Sequence, residues 1–168
     1  MRITPHDRLV KKARGWLLKH RHVIVISEMA SGGGEEPDAI GFQHGADSTV
    51  IECKASRSDF LRERHKSHAR IPEQSMGNYR YFLAPKDLIK LNELLPADGL
   101  LELDENGRIR ETRGAMRKER NLAHEYVLLC SCIRRLFGWE NVRGVSVKCY
   151  RYQTKNRATV IAQPLPKP

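Results

Sequence analysis

Two short stretches hold residue types that can do chemistry together: Pro37-Asp38 and, further along, Glu52-Cys53-Lys54. Residues two apart on a β-strand project from one face, so Glu52 and Lys54 point together while Cys53 points the other way. If the strand that begins at Asp38 pairs as a hairpin with the strand that ends at Lys54, Asp38 lies beside Glu52. Two carboxylates so placed suit magnesium or manganese, hard cations that take oxygen ligands, waters and substrate phosphate. The backbone carbonyl of Cys53 could add a third oxygen. A metal held there would acidify a bound water and neutralise charge on a phosphate. The Lys54 ammonium would orient or activate that water, or stabilise the pentavalent transition state. Asp38, Glu52 and Lys54 are therefore the candidate catalytic residues, with Asp38, Glu52 and the Cys53 carbonyl as metal ligands.

Each motif alone has a plainer reading. Pro-Asp is an ordinary turn dipeptide, and Glu-x-Lys is an ordinary exposed strand face with mildly favourable neighbouring charges. The setting favours chemistry. Val50, Ile51 and an apolar neighbouring strand mark an interior strand, where unpaired charges are costly.

The elements that must position these residues follow from periodicity and breakers. Thr4-Pro5 opens a helix, an N-cap residue followed by proline. Leu9, Ala13, Trp16 and Leu17 continue it on one face to about Lys19, and Arg8, Lys11, Lys12 and Lys19 lie on the other. Val23–Ile26, Asp38–Gln43 and Thr49–Lys54 read as three strands. Ser31-Gly32-Gly33-Gly34 lacks the Gly-Lys-Ser/Thr ending of a phosphate loop and is assigned a turn. Ser56 or Ser58 caps a second helix, with Asp59 placed for a capping box from Ser56. Tyr79–Leu83 is a fourth strand, and Leu88–Leu95 a short helix. Leu100–Leu103 and Arg108–Glu111 form a hairpin about Asp104–Gly107. Arg117–Phe137 is expected to be one long helix, with Leu122, Tyr126, Leu129, Ile133 and Leu136 along one side. Val145–Tyr152 could be a further strand.

A chain of 168 residues with 40% hydrophobic and 30% charged residues has the profile of one soluble globular domain. The expected organisation is a single domain over 1–138 and a basic extension over 139–168, whose Pro164-Leu165-Pro166 end reads as disordered. No apolar run approaches the roughly 20 residues of a membrane helix. The N-terminal stretch is charged throughout, unlike a secretory signal, so a cytoplasmic protein without a membrane partner is expected. Cys53, Cys130, Cys132 and Cys149 fit neither a disulfide framework nor zinc spacing and read as small apolar residues. The formal charge of +10 favours a polyanionic partner. The DNA contacts expected from it are Arg57, Arg62, Arg64 and Lys66 after the third strand, and Arg113, Arg117, Lys118 and Arg120 further on.

Pro37-Asp38 followed by Glu52-Cys53-Lys54 resembles the signature of the PD-(D/E)xK nuclease superfamily. The order helix, three strands, helix, strand is similar to that superfamily's αβββαβ core, over about residues 5–84. The stretches Glu52–Phe60 and Met76–Pro85 further resemble small bacterial and phage nucleases related to the MmcB-like DNA-repair group. The resemblance implies an α/β restriction-endonuclease-like fold, a mixed central sheet flanked by helices, with an extra hairpin and a C-terminal helix. It implies a magnesium- or manganese-dependent DNA endonuclease acting in repair, recombination or phage DNA processing, and a homodimer as a frequent assembly. Many members carry an extra acidic residue on the first helix. Here that helix offers only Asp7, so Glu28, at the end of the first strand, is the better substitute ligand. Gln74 could touch the site or substrate, but a surface role is the expectation for it. The alternatives are a catalytically silent nucleic-acid-binding module of the same fold, or an interaction protein with an acidic partner. DNA against RNA, and the structure or sequence cut, stay open at this level.

Overall fold

The computed structural model of the chain describes residues 3–32, 34–63, 75–136, 146–151 and 159–160, the last two segments and residues 63 and 136 by backbone alone. Helix α1 spans Pro5–Lys19. The Thr4 hydroxyl accepts the Asp7 N–H and the Asp7 carboxylate accepts the Thr4 N–H, a reciprocal cap that ties up the helix start. Strands β1 (Ile24–Ser27), β2 (Ala39–Phe42) and β3 (Ser48–Cys53) follow, then α2 (Arg57–Glu63). As expected, the Ser56 hydroxyl accepts the Asp59 N–H at the start of α2. Next come β4 (Tyr79–Pro85), β5 (Gly99–Leu103), β6 (Ile109–Arg113), helix α3 (Leu122–Leu136), β7 (Ser146–Arg151) and β8 (Thr159–Val160).

The strands form one mixed sheet in the order β6-β5-β4-β3-β2-β1-β7-β8. Strands β1, β2 and β3 pair antiparallel, β4 runs parallel to both β3 and β5, and β5–β6 is the expected hairpin. The Gly107 N–H closes the hairpin turn onto the Asp104 carbonyl, with Gly107 at φ 72°, where a glycine is unstrained. Backbone pairing of β7 with β1 brings part of the basic C-terminal stretch into the sheet.

Helix α1 lies on one sheet face. Its Leu9, Val10, Ala13 and Leu17 pack with Val25, Ala39, Ile51, Cys53, Leu83 and Leu101. On the other face α3 supplies Leu128 and Cys132 to Ile26, Ile40, Val50 and Met76. Phe60 of α2 packs there on Phe82 and Leu100, with the Phe60 and Phe82 rings edge to face. Cys53, Cys130 and Cys132 are free thiols, and Cys53 and Cys132 are buried. No helix among the described residues is long and apolar enough to cross a membrane.

Two helix expectations need correction. Leu88–Leu95 is not a helix but a turn with one 3-10 segment, Leu91–Glu93, because burying Ile89 and Leu94 requires a spacing of five that a helical turn does not provide. The long helix starts at Leu122 rather than Arg117. Residues 114–121 are in neither helix nor strand, and their N–H groups at Met116, Lys118 and Asn121 are bound by the carbonyls of Ala97, Asn78 and Ser75. Asn121 then caps α3 by accepting the His124 N–H. The buried face of α3 also differs from the expected stripe. Leu122, Tyr126 and Ile133 are 61%, 70% and 52% exposed, and the buried face holds Glu125, Leu128, Ser131 and Cys132. The Glu125 carboxylate decides this rotation: it accepts the Ser48 hydroxyl and the Gly77 N–H at 2.6 and 2.9 Å, and it pairs with Arg120.

Candidate active site

The β2–β3 register pairs Ala39 with Ile51, so continuing it by one residue sets Asp38 opposite Glu52. Asp38 is anchored there, because its Oδ2 accepts the Cys53 N–H at 2.7 Å. The Lys54 N–H crosses to the Leu83 carbonyl at 2.9 Å, which holds the chain extended just past β3. Alternation then puts Ile51 and Cys53 into the α1 core and Glu52 on the opposite face with Val50. The Lys54 Nζ stands 3.5 Å from Glu52 Oε2, and both residues are buried, at 4% and 3% exposure. Asp38, Glu52 and Lys54 are thus brought together where β2 begins and β3 ends.

Two groups that sequence reasoning passed over complete the charge pattern. Arg80 of β4 reaches Glu52 Oε1 with NH1 at 3.0 Å and Glu35 Oε1 with NH2. The second Glu35 oxygen accepts the Met76 N–H at 2.5 Å. Burial works against the Arg80 charge, but the Glu35 and Glu52 carboxylates outweigh it and hold its pKa above the ordinary arginine value. The alternation of β4 was the available signal: Arg80 precedes Phe82 by two and so faces the same side. Gly77 lets the chain enter β4 at φ 84°, where an added Cβ would sit 2.9 Å from the Tyr79 carbonyl oxygen.

The other missed group is His6 in the first turn of α1. Its Nε2 lies 3.4 Å from Asp38 Oδ1. The hydrogen bond with Asp38 raises its pKa against the opposing effect of burial, and the carboxylates of Glu28 and Asp59 add to the rise. Glu28 is exposed beyond β1 at φ 51°, and its N–H donates to the Asp38 carbonyl at 3.2 Å. The helix α1 therefore contributes a histidine at the site, and Asp7 is spent on the helix cap. Burial pushes the Cys53 thiol well up, with the Asp38 and Glu52 charges adding to it, so the side chain is a neutral core group.

The donor set suits magnesium or manganese in kind, since Asp38, Glu52 and Glu28 offer hard oxygens. Glu52 meets a cation at each oxygen, and the described residues hold no group of three His, Cys, Asp or Glu side chains gathered as metal ligands. A metal would share Glu52 Oε2 with Lys54.

Most of the basic residues expected at DNA have internal partners. Arg57 forms a two-pronged pair with Glu93, whose carboxyl that hydrogen bond holds down at about 2. Arg113 donates to the Asp98, Leu91 and Leu95 carbonyls. Arg117 pairs with Asp47, and Arg120 binds Ser48, Asn78 and Glu125. Lys118 donates to the Ser75 hydroxyl at 2.8 Å, and burial, with Arg80 adding to it, lowers its pKa to about 8. Arg62 is exposed and 3.7 Å from Asp59. Arg64, Lys66 and Gln74 lie outside the described residues.

The chain matches no protein-family model and no curated protein. Among solved structures it is similar to the SPO1766 protein of unknown function from Silicibacter pomeroyi, at 25% identity and a TM-score of 0.60, over 81% of this chain and 91% of that one.

Proposed function

We propose that this chain is a metal-dependent DNA endonuclease that hydrolyses phosphodiester bonds, built on a restriction-endonuclease-like fold of the PD-(D/E)xK type. The observation that carries the reading is the meeting of Asp38, Glu52 and Lys54 at adjoining strand ends, with Lys54 buried against Glu52. Asp38 and Glu52 would hold magnesium or manganese, with the Cys53 carbonyl and Glu28 as further ligands. The bound metal would supply an acidified water and charge neutralisation at the phosphate. Arg80 fixes Glu52 through Oε1, and His6 holds Asp38 through Oδ1. Lys54 then stands ready to orient the attacking water and to meet charge that develops on the phosphate. DNA repair, recombination or phage DNA processing are the settings such an activity suits, and a homodimer is the assembly to look for.

A second reading is a nucleic-acid-binding module of the same fold that does not cut. It is supported by the two cations already bound to the Glu52 oxygens. Plasmid incubated with magnesium or manganese, against chelated and calcium controls, separates the two. Cutting with magnesium or manganese alone is expected, and cutting in excess chelator overturns the metal-dependent reading. In the same assay Lys54→Ala should slow single-turnover cleavage by about a hundredfold to a thousandfold while DNA binding persists. A Lys54→Ala protein that cuts at the wild-type rate removes Lys54 from the chemistry.

A further inference from the structure

The lysine- and arginine-bearing face of α1, which the candidate site does not use, borders a groove of about 1060 Å³ between α1 and the β5–β6 hairpin. Arg8, Lys11, Lys12 and Lys19 line it; among the described residues none of the four is in an ion pair, and Lys12 donates across the groove to the Gly107 carbonyl. From Arg8 to Lys19 the stripe extends about 17 Å at about 1.5 Å per residue. Four carboxylates also line the groove: Asp7 of α1 accepts the Thr4 N–H, Asp104 the Arg108 N–H and Glu111 the Tyr81 hydroxyl, and Glu105 is the fourth.

The groove has an aromatic element and an opening. Trp16 lines it, with exposed His20 stacked on it at 3.8 Å and Tyr81 tilted against it at 5.2 Å between ring centroids. Gly15 sits beside Trp16 inside the helix, where glycine costs stability relative to alanine. A Cβ at Gly15 would meet nothing within 4 Å, so packing does not require the glycine. Its lack of a side chain keeps the middle of the groove free. The N-terminal end of the groove, at Ile3, Asp7 and Arg8, shares the first turns of α1 with His6, which lies on the sheet-facing side and touches Asp38.

We infer that this groove binds a single-stranded segment of DNA that continues from the cut site. Rows of cations that follow a backbone, with aromatic rings for bases to stack on, are how proteins hold single strands. A duplex keeps its bases stacked inside and cannot offer one to the exposed His20 ring that lies on Trp16. The inference rests on the nuclease reading only for the strand's direction, from the site along α1. The substrate class it implies is DNA with a single-stranded portion, such as a flap, gap or branch.

The test is fluorescence anisotropy of labelled oligothymidylate in excess chelator, so that binding is read without cutting. The wild-type protein should bind with an affinity that falls steeply with salt. Lys11→Glu/Lys19→Glu should weaken binding about tenfold or more. Gly15→Gln fills the groove without altering its charge and extends into open space. It should weaken binding about tenfold, while thermal melting shows a helix as stable as wild type or more so. A blunt duplex of equal length should be bound equally by Gly15→Gln and wild type. No binding of oligothymidylate by the wild-type protein, or full binding by Gly15→Gln, overturns the inference. A protein that binds oligothymidylate in this groove but cuts no DNA with magnesium or manganese leaves the groove standing and removes the nuclease reading. One that cuts while Gly15→Gln binds normally does the reverse.

Discussion

On the α1 face of the sheet, Val25, Ile51, Cys53 and Leu83 pack into an apolar core; on the opposite face, one residue away along the same strands, Glu52 and Arg80 are buried with Glu35 and Lys54. Both faces exclude water, yet they are held by different physics. The first face gains from removing apolar area from water, at about 25 cal/mol per Å². The second must offset the desolvation of charges, and does so by pairing each one: Arg80 between Glu35 and Glu52, and Lys54 against Glu52. Such an arrangement is weak evidence for stability, since an apolar filling would serve as well. Its place on an interior strand is the feature on which the proposed nuclease reading draws.

The largest break should come from Arg80→Met, which leaves Glu35 and Glu52 buried without their cation. A loss of about 3–5 kcal/mol is expected, read from urea denaturation. A loss under about 1 kcal/mol would mean that water or Lys54 compensates both carboxylates. The comparison sharpens if the whole network is replaced. Glu35→Leu/Glu52→Leu/Lys54→Met/Arg80→Met should recover that loss or exceed wild type by about 1–4 kcal/mol, and it should be inactive in the plasmid assay. A quadruple variant as unstable as Arg80→Met would show that the ions, and not merely their balance, hold the fold.

On the apolar face the effects are smaller and graded by volume. Ile51→Val should cost about 0.5–1.5 kcal/mol and leave any cleavage activity unchanged, because its side chain points away from Glu52. A cleavage defect with little loss of stability would show that the two faces are coupled through β3. A pH-dependent effect concerns Lys118, which burial and Arg80 hold at about 8 against an ordinary value of 10.5. Between those values the unfolded chain binds more protons, so stability should rise with pH across that window and be lowest below it. Lys118→Met should flatten the rise. An unchanged pH profile of the urea midpoint would show that Lys118 is better solvated than its contacts suggest.

Local periodicity carried much of this into the sequence. Alternation alone set Glu52 and Cys53 on opposite faces, the hairpin relation of β2 and β3 set Asp38 near Glu52, and Thr4-Pro5 marked the start of α1. These are readable because a strand's period and a helix's cap depend on neighbours in the chain. Other features depend on elements distant in sequence. Arg80 meets Glu52 because β4 returns parallel to β3 after a crossover, and Glu35 reaches Arg80 from the segment between β1 and β2. His6 meets Asp38 only because α1 lies across the sheet. The same cause misdirected α3: its more apolar stripe is exposed, since Glu125 finds Ser48, Gly77 and Arg120 beneath the helix. Composition could count the basic residues near Arg113–Arg120, but only the path of 114–121 across the sheet decided that most of them bind the protein itself. A charge's partner is chosen by distance in space, and that distance exists only once the strands have been laid side by side.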